Sequence, residues 1–144
     1  MRVVIDTNVL VSRHLSPNGT PALVFALWEA GDFELVLSEA ILAEYGRVLA
    51  YQHIQRRDGM SSNDIEQVVA DFRSFATVVD PTEAIRAVVD DPSDDTFVEA
   101  AVAGRCGYVV SGDPHLLRLG EYRGIQMVTP AVFLAVLESL SDPT

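Results

Sequence analysis

The chain has 144 residues, 49% hydrophobic and 22% charged, with a formal net charge of −11. That length suits one domain with a core large enough to fold alone, and the apolar fraction excludes a disordered or collagen-like chain. The longest uncharged stretches, His14–Trp28 and Gly124–Leu137, fall short of the roughly 20 apolar residues of a bilayer span.

Arg2–Ile5 is a β-branched run ending at Asp6 and predicts a buried strand. An acid at position 6 also interrupts what would be the apolar centre of a secretory leader, so a cytoplasmic protein is expected. Asn8–His14 can start a helix, and Ser16–Pro21 reads as a loop. Pro21–Ala30 predicts a helix stopped by Gly31. Phe33–Leu37 predicts a second strand, after which Ser38 caps a helix running to about Tyr51. Ile41, Leu42, Tyr45, Val48 and Leu49 share one face of that helix.

Arg56–Gly59 reads as a turn, and Ser61 or Ser62 caps the next helix, which carries Ile65, Val68, Val69, Phe72 and Phe75. Ala76–Val79 predicts a third strand. An acidic loop, Asp90–Asp95, leads into a helix with Phe97, Val98, Ala101 and Val102 inward. Tyr108–Val110 predicts a fourth strand, Ser111–Pro114 the opening of a short helix, Ile125–Val128 a fifth strand and Pro130–Leu140 a last helix. Strands alternating with helices predict an α/β sandwich with a mostly parallel, buried sheet.

All ten basic residues are arginine. Without lysine, P-loop phosphate binding, Schiff-base chemistry and the lysine-assisted aspartyl-phosphate chemistries are excluded. Cys106 has no partner for an internal disulfide, and beside Gly107–Val110 it reads as a small buried hydrophobe. His14, His53 and His115 lack zinc-ligand spacing.

Ligands of parallel sheets bind beyond the carboxyl ends of the strands, and several acids fall there. Asp6 follows the first strand, Asp113 follows the fourth, Asp95 opens the helix between them with Asp91 and Asp94 nearby, and Glu44 borders the inward face of the helix after the second strand. Each has a local alternative. Asp113-Pro114 is a good helix start, Asp94 and Asp95 suit a first helical turn, and Glu44 can pair with Arg47. Asp6 is harder to dismiss, because an acid ending a buried strand needs capping, pairing or a metal. Carboxylates gathered together repel unless a cation joins them, and an all-oxygen site calls for Mg²⁺ or Mn²⁺. Such a site suits phosphodiester hydrolysis.

Asp6-Thr7-Asn8-Val9-Leu10 after an N-terminal strand resembles the opening motif of the PIN domain. Leu37–Tyr45 is similar to that family's helix with an inward acid, and Asp91–Ala101 with Tyr108–Asp113 to its third and fourth acidic motifs. The resemblance runs from Met1 to about Leu140 and is strongest toward the PIN-family toxin components of bacterial toxin–antitoxin systems, relatives of the VapC ribonucleases. The resemblance implies a three-layer α/β/α sandwich around a five-stranded sheet, with a PIN domain over 1–140 and a short tail over 141–144. It implies Asp6, Glu44, Asp95 and Asp113 as metal-binding catalytic acids, with Asp91 or Asp94 as alternatives to Asp95. Asn8, Thr7, Ser111 and Asp91 would support them. It further implies a Mg²⁺-dependent endoribonuclease, an RNA substrate, an antitoxin protein that blocks the cleft, and self-association as a homodimer. His115 stands where many relatives carry a further acid, a change that weakens a second metal position. Arg13, Arg47, Arg56, Arg57 and Arg118 are the candidates for cations around the cleft.

Two other readings compete. A PIN-like module that binds RNA or protein without cutting is favoured by the net acidity and by His115. An aspartyl-phosphate phosphotransferase fits the position of Asp6 but lacks both a second acid at position 8 and a lysine.

Overall fold

Arg2–Ile5 forms β1, and Val3, Val4 and Ile5 are fully buried. In the computed structural model, residues 1–56, 61–89 and 91–141 are described, with side chains assigned except at 52–56 and 141. Of the turn expected at Arg56–Gly59, Arg56 is instead the last residue of a helix and the remainder lies outside this set, as do Asp90, the final three residues and the side chains of His53 and Arg56.

From β1 the chain enters α1 (Thr7–Leu15) and α2 (Thr20–Glu29). Gly31, at φ +89°, ends α2: its amide donates to Trp28 O and that of Asp32 to Leu27 O, the paired bonds of a Schellman cap. Then follow β2 (Glu34–Ser38), α3 (Glu39–Arg56), α4 (Ser62–Phe75) and β3 (Thr77–Val79). Ser38 Oγ accepts from Ile41 N at the start of α3, as expected of a cap, and α3 runs five residues past Tyr51. Ser61 caps α4 in a reciprocal capping box with Asp64.

Residues 80–89 are irregular, and later in the chain come a 3₁₀ turn (Pro92–Asp94), α5 (Asp95–Ala103), β4 (Tyr108–Val110) and α6 (Pro114–Leu119). The chain ends with β5 (Glu121–Tyr122), β6 (Ile125–Val128) and α7 (Pro130–Ser141). The sheet order is β3-β2-β1-β4-β6-β5, parallel throughout except that β5 runs antiparallel to β6.

The layered, mostly parallel architecture is the expected one, with six strands rather than five. The extra strand, β5, has two residues and folds back through Arg123 (φ 50°) and Gly124 (φ 83°). Two positive φ values suit a primed hairpin turn, but two residues are too few to display a period-2 pattern.

β1 and β4 lie together in mid-sheet, with Ile5 paired to Val110. Asp6 N donates to Val110 O and carries the ladder one residue past the strands. Leu35, Val36, Leu37, Phe97, Val98, Ala100 and Ala101 pack around them in the core. The two strand ends are therefore fixed by burial, and whatever follows them is placed side by side.

Candidate metal-binding acidic centre

Asp6 has the extended backbone of a helix N-cap, yet its side chain closes no capping bond. Its carboxylate turns to Ser111 instead: Ser111 Oγ donates to Asp6 Oδ2 at 2.6 Å. The same hydroxyl oxygen accepts from Asp113 N at 2.9 Å. Ser111 is fully buried just past β4 and links the first acid to the backbone of the fourth. Asp113 caps α6 by accepting from His115 N at 2.8 Å. The helix-start reading holds, and one oxygen caps while the carboxylate still faces Asp6.

The third member is Asp94, at the end of the 3₁₀ turn. Asp6, Asp94 and Asp113 each offer an oxygen, and these lie within 4.8 Å of one another. Asp94 Oδ2 is buried and receives no donor among the described residues. Such an orphaned oxygen, facing two other carboxylates, is costly unless a proton or a cation serves it.

The electrostatics carry the same strain. Burial pushes the Asp6 carboxyl up to about 6, offset in part by the Ser111 hydroxyl and the Asn8 amide and reinforced by Asp113 and Glu44. Asp94 is pushed up to about 8, first by burial, then by the facing Asp113 carboxyl and by the charges of Asp6, Asp113 and Asp91. Asp113, facing the raised Asp94 carboxyl, is held below the ordinary carboxylate range. The two carboxyls titrate as a pair. An all-oxygen donor set of this kind fits a hard divalent cation, which would relieve the repulsion among the three acids.

Glu44 projects from α3 toward the start of α1, where Thr7 Oγ1 donates to its Oε2 at 3.0 Å. It is half-buried and close enough to raise Asp6, but it stands outside the group of three. Thr7 is therefore a partner of Glu44. Asn8 Oδ1 lies 3.5 Å from Gly112 N and ties α1 loosely to the loop after β4. Asp91 Oδ1 accepts from Ser93 Oγ and adds charge near Asp94.

Asp95, expected among the metal-binding acids, is not brought to the group of three. Its Oδ1 accepts from Ala87 N at 2.9 Å and Val88 N at 2.8 Å, bonds that hold the connection before the 3₁₀ turn. Consecutive helical residues point about 100° apart, and the rotation that turns Asp94 to the other acids turns Asp95 to the amides of Ala87 and Val88. The inward stripe Val98–Ala101 extends back to position 94, whereas 95 aligns with Glu99. Position 95 also lies three residues before Val98 and is itself buried, so periodicity alone leaves both aspartates open.

Tyr45, read from sequence only as core, also supports the site. Its hydroxyl donates to Ile5 O at 2.6 Å and anchors α3 to the end of β1. Burial raises the phenol well above its ordinary pKa, so it remains a donor. Arg13, a candidate cleft cation, instead lies over the rings of Phe25 (4.8 Å) and Phe72 (5.7 Å).

The PIN-domain family model matches residues 2–115, which span every acid described above. The chain belongs to the PIN-domain family. Among curated relatives, it is 28% identical over 121 residues to the uncharacterized protein MJ1680 of Methanocaldococcus jannaschii, covering 84% of this chain and 76% of that one. Two solved structures share the fold. PAE2754 from Pyrobaculum aerophilum has a TM-score of 0.62 at 15% identity, covering 96% of this chain and 90% of its own. VapBC2 from Rickettsia felis, solved bound to a DNA fragment from its promoter, has a TM-score of 0.59 at 14% identity, covering 88% and 97%. In this PIN domain no described helix is long and apolar enough to cross a membrane.

Proposed function

We propose that this PIN domain, over residues 1–140, is a metal-dependent endoribonuclease and the toxin of a toxin–antitoxin pair, acting in the cytoplasm. The observation that carries the reading is the convergence of Asp6, Asp94 and Asp113, from three separate elements, with a buried oxygen left without a donor. Mg²⁺ or Mn²⁺ would be held by these three acids, with Glu44 at the margin of the site. A bound dication supplies Lewis-acid polarisation of a phosphoryl oxygen and a more acidic water.

The residues have distinct duties. Asp6 and Asp113 are held at the strand ends by Ser111, so their spacing costs no reorganisation on binding. Asp94, whose carboxyl is raised, would release its proton to solvent on holding the cation. Glu44, held by Thr7, stands beside the three acids, where it can accept a proton from an attacking water or orient it. An RNA substrate and an antitoxin protein are the partners of this reading. The VapBC complex with the same fold lends support to the antitoxin, and a homodimer is the expected assembly of the free protein.

The test is RNA cleavage with and without EDTA, by the unaltered protein and by Asp6→Asn. Cleavage should require the divalent ion and vanish in the variant, whose circular dichroism stays native. Undiminished cleavage by Asp6→Asn ends this reading. The net charge of −11 favours one alternative, a PIN module that binds without cutting. Calorimetry separates the two, since a retired site takes up no Mn²⁺.

A further inference from the structure

Residues 80–89, which follow β3, have no regular secondary structure, yet side chains pin their backbone. Glu83 forms a two-bonded fork with Arg123, at 2.7 and 2.9 Å. Glu99 Oε2 accepts from Ile85 N at 2.9 Å. One oxygen of Asp95 accepts from both Ala87 N and Val88 N. Ile85 and Val88 are buried in the core between these points. Asp95 and Glu99 lie one helical turn apart on α5, so a single face of that helix grips residues 85–88.

Asp95 is itself buried, and its peptide neighbour is Asp94. We infer that Asp95 is a positioning residue: by clamping residues 87 and 88 against the first turn of α5, it fixes the rotation of that turn and so aims Asp94 at Asp6 and Asp113. The inference rests on the proposal that these three acids hold a cation, and it divides two adjacent aspartates into one ligand and one clamp. The clamp uses a single oxygen as acceptor for both amides, a geometry that does not require the second oxygen or a full negative charge. An amide oxygen in the same place can accept both bonds, whereas a cation ligand cannot lose its charge without weakening the site.

The test compares Asp95→Asn, Asp95→Ala and Asp94→Asn for Mn²⁺ affinity by calorimetry and for amide hydrogen exchange at Ala87 and Val88. Asp95→Asn should bind Mn²⁺ within about threefold of the unaltered protein and keep both amides protected. Asp95→Ala should lose that protection and bind about tenfold more weakly, while Asp94→Asn keeps the protection and loses the metal. Mn²⁺ binding by Asp95→Asn as poor as that of Asp94→Asn would make Asp95 a ligand and overturn the inference. Unprotected amides in Asp95→Ala with unchanged Mn²⁺ affinity would overturn it too, by separating the clamp from the site. Should Asp95→Ala fail to fold, the Asn variant alone still decides between ligand and clamp. If the unaltered protein takes up no Mn²⁺, the cation reading and the positioning role both fall; exchange at 87 and 88 then reports whether the clamp itself exists.

Discussion

One hydroxyl does two jobs in the acidic centre. Ser111 Oγ donates to Asp6 and accepts from the amide of Asp113. Its bond to Asp6 favours the charged form, so removing it drives an already raised carboxyl higher and leaves a buried oxygen without its donor. Ser111→Ala should therefore cost roughly 1–3 kcal/mol of stability. It should also weaken Mn²⁺ uptake by about tenfold, within the range seen when the partner of a metal ligand is removed. Denaturant unfolding and calorimetric titration check the two effects. At this scale the sequence placed Asp6 and Asp113 beyond the ends of β1 and β4, where the structure brings them together, while Glu44 lies outside that group. The choice between Asp94 and Asp95 is an angular question on one helical turn, which only the packing of α5 resolves.

At the scale of elements, the acids are placed by the elements that carry them. Tyr45 joins α3 to the end of β1, directly before Asp6. Tyr45→Phe keeps the ring but leaves Ile5 O without that donor, and should destabilise by about 1–2 kcal/mol. Chemical denaturation measures this, and a cost near zero would show that the bond is dispensable. Gly104 closes α5 beneath the sheet, where an added Cβ would come 2.7 Å from Val36 Cγ1 of β2. Gly104→Ala should push α5 from the sheet and cost about 1–3 kcal/mol, read as a lowered melting temperature. The buried strands and capped helices behind these contacts were legible from periodicity and from Ser38, Ser61 and Gly31. The short strand β5 was not, because its pairing with β6 comes from the turn at Arg123-Gly124 rather than from a pattern of its own.

Across the whole molecule, the acidic centre makes stability depend on pH and on cations. Asp6 at about 6 and Asp94 at about 8 both lie above the ordinary value of 3.8. The folded state therefore binds more protons than the unfolded state between those limits, and stability falls as pH rises. The lowered Asp113 acts in the opposite sense, but only at more acidic pH, below the ordinary carboxylate value. Without metal, the melting temperature should rise by several degrees as pH is lowered from about 8.5 to 5. Saturating Mn²⁺ should add about 2.7 kcal/mol at a hundredfold excess over Kd and flatten that dependence. Differential scanning calorimetry across pH, with Mn²⁺ and with EDTA, tests both; a metal-free protein that grows more stable from pH 5 to 8.5 would contradict the assignment of the raised carboxyls.

The sequence by itself determined the alternation of strands and helices, the buried ends of β1 and β4, and an excess of acid at those ends. It could do so because apolar periodicity and caps are local properties of a chain. Tertiary structure decided which carboxylates meet. The answer depends on how α5 is rotated against β1 and β4, and on the irregular connection whose amides take up Asp95. Both are set by contacts between residues distant along the chain, which no local pattern records.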